Sequence, residues 1–326
     1  MTIKANTPIL TAGGWMLAGS VQPGDIVFGQ DGEPKPVTSV QLFDKGPTYE
    51  VLLDDGLTIC GSANMRLAIQ RVNARIILSK GYNARPDSML LQEVMDSGLR
   101  FDKGNRLYKY SVPTTKPIKL PEKDLPVPPF IVGVWFSKPR SSPSLFVRQE
   151  QLNDIIKRFR QYGYAIRRTK RIEDRLYLTV RPSIEMSFLT KYSEKWNTIP
   201  DEYLLGSVEQ RLELLRGLVY HRPNSFREKD SVYQYFSRDY AFLKRIQGVV
   251  ESLGIRTAMT EKLSGARYRL FFRTDLPLGP TNSNTWGIVR FKRRFIRKIT
   301  EIEPSERVYI EANGPFLVGE GFIPAC

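Results

Sequence analysis

Residues 148–181 and 238–273 carry the same plan twice, offset by 91 to 92 positions, and an internal repeat constrains a fold more tightly than any single motif. The first copy reads RQEQLNDIIKRFRQYGYAIRRTKRIEDRLYLTVR and the second RDYAFLKRIQGVVESLGIRTAMTEKLSGARYRLFFR. Each predicts an amphipathic helix, a glycine stop, a strand, a turn and a second strand. Leu152, Ile155, Ile156 and Phe159 recur at helical spacing in one copy, as do Leu243, Ile246, Val250 and Leu253 in the other. Gly163 and Gly254 stand where helices stop.

The strands that follow alternate between two faces. In the first copy Leu176, Leu178 and Val180 share one face and Arg175, Tyr177, Thr179 and Arg181 the other. In the second, Tyr268, Leu270 and Phe272 lie opposite Arg267, Arg269, Phe271 and Arg273. Each copy thus offers an apolar face to a core and an arginine-rich face to the outside, the layout of a sheet lying on a phosphate backbone.

Two proline-rich stretches, VPTTKPIKLPEKDLPVPPF (112–130) and DLPLGPTNSNT (275–285), bracket the repeats. Proline excludes helix interior and central strand, so both predict linkers. Outside them, short apolar runs (DIVFG, YEVLL, LTICGS, RLAIQRV, then RVYIEA and PFLVG) predict strands separated by turns such as QDGE and DDGL. The expected organisation is one all-β domain in two pieces, 1–115 and 285–326, interrupted by an α+β domain at 126–275. Charge marks the insert too: between residues 126 and 275 there are 27 Lys and Arg against 16 Asp and Glu, so +11 of the net +15 lies there. Such a field favours a polyanion.

No apolar run is long enough to span a bilayer and no signal-like segment follows Met1. The expected setting is the cytoplasm or the inside of a particle, without secretion or a membrane partner. Cys60 and Cys326 are the only cysteines, too few for a disulfide framework or a metal cluster. Neither metal nor cofactor is expected.

The opening NTPILTAGGWMLAGSVQPGDIVFGQDGEPKPVTSV and the closing RKITEIEPSERVYIEANGPFLVGEGFIP resemble the terminal splicing blocks of an intein. That family has a horseshoe-shaped β fold, Hint. LPVPPFIVGVWFSKP and IPDEYLLGSVEQRLELLRGLVYHRP resemble the two LAGLIDADG motifs of an intein's homing endonuclease, each placed ahead of one repeat. The resemblance covers nearly the whole chain, with its four motifs in the family's order. It implies a mixed fold: an all-β Hint-like horseshoe interrupted by an α+β, pseudo-two-fold LAGLIDADG domain, with Gly133 and Gly217 letting two motif helices pack closely.

The functional residues of the resemblance are altered. Each motif helix should end in a metal-holding acid, but Lys138 and Arg222 fill those positions. A cation about 4 Å from a divalent ion is opposed by roughly 8 kcal/mol at an effective dielectric near 20. Glu228 and Asp230 lie just beyond as possible substitutes, and the lone His221 has no orienting carboxylate in view. In the splicing blocks, Thr2 takes the place of the first nucleophile, behind Met1. Ser62 and Met65 replace the threonine and histidine of the T-x-x-H block, and Met65 has no proton to give. Pro324, Ala325 and Cys326 stand where the resemblance implies His, Asn and a nucleophile.

The expected function is therefore duplex DNA binding by a domesticated relative that neither cuts nor splices. Expected contacts are Arg167, Arg168, Lys170, Arg171, Arg175, Tyr177 and Arg181 in the first repeat, with Arg256, Lys262, Arg267, Arg269 and Arg273 in the second. Two other functions fit the same sequence: a structural or packaging component with a protein assembly partner, and a nuclease using substitute acids.

Overall fold

In the computed structural model, two 20-residue strands, Pro34–Leu53 and Arg293–Ala312, run antiparallel from Val37 opposite Ala312 to Leu53 opposite Ile296. One strand precedes the basic insert and the other follows it, so the flanks form one β structure. Outside the description are residues 81–84, 102–106, 138–144, 150–151, 173–174, 182–197, 221–225, 228–231, 264–266, 275, 277, 279–291 and 326. For residues 79, 146, 148, 168, 169, 172, 175, 181, 226, 227, 261–263 and 267 only the backbone is described.

The ribbon sits in an eight-stranded sheet ordered Gly14–Leu17, Pro8–Thr11, Ile26–Phe28, Pro34–Leu53, Thr58–Gly61, Thr2–Lys4, Arg293–Ala312, Ser111–Pro113. A second sheet, Phe316–Val318, Ile323–Ala325, Arg66–Ile69 and Asp87–Leu90, shares its core through Leu67, Ile323, Ile3 and Val308. The strand Pro34–Leu53 continues through Asp44-Lys45-Gly46-Pro47. Pro47 has no N–H to give, and Thr48 bridges the gap: its hydroxyl donates to the Gly46 carbonyl (2.8 Å) and accepts from the Ser305 N–H (3.3 Å). Two short helices, Val72–Ser79 and Leu91–Ser97, accompany the strands.

The insert is built around its own core, which runs from Val127 to Leu278 and includes Phe130, Leu178, Leu214 and Leu270. The first repeat pairs Leu145–Arg148, Arg175–Arg181 and Ala165–Ile172 in that sheet order, and its helix is Leu152–Gln161. The second orders Phe226–Arg227, Val232–Ser237, Arg267–Arg273 and Thr257–Leu263, with helix Tyr240–Ser252. In both sheets the last strand of the repeat lies centrally, so the duplicated sequence folds into a duplicated topology. Ile155, Phe159, Leu176 and Leu178 are buried, as are Leu243, Ile246, Val250, Leu253, Leu270 and Phe272. Gly163 and Gly254 both stop their helices at positive φ, +81° and +78°.

The first proline-rich stretch does more than join the two parts. Ile118 and Leu120 are buried against Leu10, Phe28, Leu317 and Phe322. Backbone hydrogen bonds run from Lys116 N to Gln30 O (2.8 Å), from Lys119 N to Gly32 O (2.8 Å) and from Ile118 N to Ser252 O (2.9 Å). The buried Arg211 guanidinium donates to the carbonyls of Gly206, Ser252 and Ile118. The segment is a strap holding the β structure to the second repeat.

Candidate functional site

The two motif helices, Pro129–Ser137 and Val208–Tyr220, cross in backbone contact. A Cβ on Gly133 would fall on the Leu214 carbonyl and lie 2.7 Å from the Leu218 nitrogen. One on Gly217 would fall on the Phe130 carbonyl and lie 2.8 Å from the Val134 nitrogen. Only glycine fits at this crossing, and the apolar residues around it explain why helices of this composition meet there.

Both helices end as the description stops, so Lys138, His221 and Arg222, with Glu228 and Asp230 beyond, lie outside the described residues. Just before that point Tyr220 donates its hydroxyl to Asp154 Oδ2 (3.0 Å), which also accepts from Arg158 Nε (3.1 Å). Burial first, then the Asp154 charge, pushes the Tyr220 phenol far above its ordinary range. Arg158 also stacks over the Phe130 ring, 4.9 Å from its centroid. Asp154 is absent from the sequence-based set. Its one legible signal, Arg158 four residues on, marks a local ion pair, and that is what the carboxylate forms. No group of three His, Cys, Asp or Glu residues suited to a metal occurs among the described residues.

The two repeat sheets differ on their outer faces. In the first, Arg167 lies opposite Thr179 and Lys170 opposite Tyr177, and both cations are exposed. A register shift between Arg168 and Lys170 puts Arg171 opposite the buried Leu176, so it is exposed at the sheet edge but shares the core-side face. Arg168 pairs opposite Leu178, and the backbone at Arg175 pairs with Arg148. The side chains of Arg168, Arg175, Arg181, Lys262 and Arg267 lie outside the description.

In the second sheet the position equivalent to Arg167 is Ala258, opposite Phe271. Arg269, half-buried, lies with its guanidinium carbon 5.5 Å from the Phe271 ring centroid, and Arg273 is also half-buried.

Arg256 is a correction. The sequence places it among the DNA contacts, but it turns away from the sheet face toward the flank, 2.9 Å from Asp54 and 3.7 Å from Asp55, and donates to the Arg293 carbonyl (3.1 Å). Asp55 also holds Arg294 at 2.6 Å, and Arg294 reaches Glu251 at 3.7 Å. Burial pushes the Glu251 carboxyl up, opposed by Arg294. These charges are buried where the insert meets the β structure, and they satisfy one another because a lone one there would be costly.

In the flank, Thr2, Ser62 and Met65 meet. The Thr2 carbonyl accepts from the Ser62 N–H (3.3 Å), and the Met65 N–H donates to the Ser62 carbonyl (2.9 Å). A Cβ on Gly61 would lie 2.6 Å from the Met65 sulfur and 2.7 Å from the Thr2 carbonyl, so all three pack together. Met65 is fully buried in the apolar core, and the buried Ser62 hydroxyl has no hydrogen-bond partner among the described residues. Ala325 pairs opposite Leu67, one strand away. Nearby Cys60 has its thiol pushed up by burial and then by Glu50, which keeps it protonated and a poor nucleophile. Cys326 lies outside the described residues.

No protein-family model matches the chain. Over 226 residues, 67% of this chain and 36% of the relative, it is 28% identical to the replicative DNA helicase DnaB of Mycobacterium intracellulare. The chain thus spans little more than a third of that protein. Among solved structures it is similar to the MchDnaB-1 intein, at 32% identity over 21% of this chain and 53% of that one, TM-score 0.20. It is similar to the gp41-1 intein at 18% identity over 28% and 60%, TM-score 0.22. A third likeness is to I-DmoI in complex with DNA and Mn, at 13% identity over 44% and 87%, TM-score 0.33. These likenesses are to inteins and to a homing endonuclease.

Proposed function

We propose that this chain binds duplex DNA through the outer faces of its two repeat sheets, and neither cuts the duplex nor splices. The observation that carries the reading is the first sheet's outer face. Arg167 and Lys170 stand exposed beside Thr179 and Tyr177 on a sheet anchored by a buried apolar face, and Arg171 adds a cation at the edge. Cations carried on a rigid sheet reach phosphates with only their own side chains left to order. The second sheet contributes fewer open cations, with Arg269 and Arg273 only half-buried.

The loss of chemistry rests on the residues themselves. Lys138 and Arg222 are bases where the resemblance implies metal-holding acids, and Asp154 is already paired with Arg158 and hydrogen-bonded by Tyr220. Met65 offers only a buried thioether where the resemblance implies a proton donor.

Duplex affinity measured across a salt series tests the binding. With six to ten phosphates contacted, affinity falls roughly a thousand-fold or more between about 50 and 200 mM salt. Reversing Arg167 and Lys170 weakens it, while reversing Lys45 and Lys298 on the ribbon does not. Equal losses from both pairs, or no binding at low salt, overturn the proposal and leave a protein-assembly role. Duplex cleavage with magnesium or manganese, or ligation of two carrier proteins fused to the chain, overturns the inactive part.

A further inference from the structure

On the β structure the Lys109 N–H donates to the Leu99 carbonyl (2.9 Å), a pairing that sets Arg100 opposite Tyr108. Arg297, from the long strand Arg293–Ala312, reaches the same ring. Both guanidiniums donate to the Tyr108 hydroxyl oxygen, each at 3.1 Å, and their central carbons lie 5.0 and 5.6 Å from the ring centroid. Arg75 backs them. It donates to the Tyr108 carbonyl (2.6 Å) and lies over Phe295, whose ring centroid is 5.7 Å from that of Tyr108.

Three guanidiniums thus gather round two rings, and none of them forms an ion pair among the described residues. Elsewhere on the β structure basic side chains meet acids: Lys35 meets Asp31, Arg71 meets Asp87 and Lys119 meets Glu33. Burial first, then the charge of Arg293, pushes the Arg75 guanidinium down from its ordinary value. The ring faces offset part of the repulsion, but cations held together without an acid are a cost to the fold. Their donors are not used up. Arg100 and Arg297 are exposed, and a guanidinium carries five N–H groups. The Tyr108 hydroxyl accepts twice and keeps its own hydrogen to give.

We propose that Arg100, Arg297 and Tyr108 form a clamp for a phosphate monoester in its dianionic form. The two exposed guanidiniums match its two charges, and each planar fork suits a pair of phosphate oxygens. The Tyr108 hydroxyl donates to a third oxygen. A diester carries one charge and leaves fewer oxygens free, so it satisfies the clamp less well. The clamp sits on the β structure rather than on the repeat sheets, and it stands or falls separately from duplex binding.

Methyl phosphate and dimethyl phosphate, titrated into the full chain at low salt and followed by phosphorus NMR, test this. At pH 8 methyl phosphate binds with a dissociation constant on the order of 1 mM or tighter, and dimethyl phosphate binds about tenfold or more weakly. Methyl phosphate binding weakens as pH falls through about 6, where a monoester loses its second charge. Arg100→Ala and Arg297→Ala, which truncate exposed side chains, each weaken it about tenfold. Tyr108→Phe, which keeps the ring and removes the hydroxyl, weakens it about fivefold. Reversing Arg167 and Lys170 leaves it unchanged. Equal affinity for the two probes, no change with pH, binding undiminished in the arginine variants, or no saturable binding overturns the proposal and leaves the duplex reading untouched.

Discussion

The two repeats share a strand order and a helix stop, yet among the described residues the second is tied into the β structure and the first is not. At Gly163 an added Cβ would meet nothing, whereas at Gly254 it would lie 2.5 Å from the Thr115 carbonyl of the strap. Arg167 of the first repeat stands in solvent, while Arg256, just ahead of the equivalent strand Thr257–Leu263, is drawn into Asp54 and Asp55. The difference teaches that a duplicated unit need not keep duplicated roles: one copy presents charge outward, and the other spends its charge on attachment.

What the repeats share is the glycine crossing, and breaking it erases the comparison. Gly217→Val forces a branched side chain into the Phe130 carbonyl, and a loss of more than about 4 kcal/mol, or no folded protein, is expected by chemical denaturation.

What they do not share comes next. Arg294→Ala leaves Asp55 and Glu251 buried beside one another without their guanidinium, at an expected cost of about 3–5 kcal/mol. Burial at the join is specific to the second repeat, so Arg167→Ala should leave thermal stability unchanged within about 0.5 kcal/mol.

The glycine stops give a matched pair. Gly163→Ala should cost about 1–2 kcal/mol from its left-handed backbone alone. Gly254→Ala should cost about 1–2 kcal/mol more, because the Thr115 carbonyl must also move. Equal losses in denaturant midpoints would mean that the strap does not press on the second repeat.

For binding, Arg167→Ala should weaken duplex affinity about tenfold and lower the salt slope by about 1. Arg256→Gln should leave the slope unchanged, since that side chain faces Asp54. A slope change with Arg256→Gln and none with Arg167→Ala would reverse the roles assigned to the two copies.

The smallest effect concerns pH. Burial raises the Glu251 carboxyl above its unfolded value, so its contribution to stability is full at acid pH and is lost as pH rises through its folded value. Glu251→Gln, fixed in the neutral form, should flatten that loss. An unchanged pH profile would show that Arg294 holds Glu251 ionised throughout.

Much of this was legible because periodicity is local. The helices at 152–161 and 240–252, their glycine stops and the apolar faces of 175–181 and 267–273 each follow from residues a few positions apart, and the structure places them as the spacing predicts. The close helix crossing was legible too, through Gly133 and Gly217 read as motif residues. By itself the sequence determined the duplication, the interruption of the β structure and the basic character of the insert.

Only the tertiary structure decided what each charge does. Arg167 and Arg256 are the same residue type in equivalent copies, and nothing within a few residues of Arg256 shows that Asp54 and Asp55 will face it. The strap was likewise hidden: proline content excludes regular structure but says nothing of what an irregular segment packs on. Arg211 shows why, because its carbonyl partners, Gly206, Ser252 and Ile118, come from three separate stretches of the chain. Charge and burial are set by neighbours in space, and those neighbours exist only once the two cores have formed and been brought together.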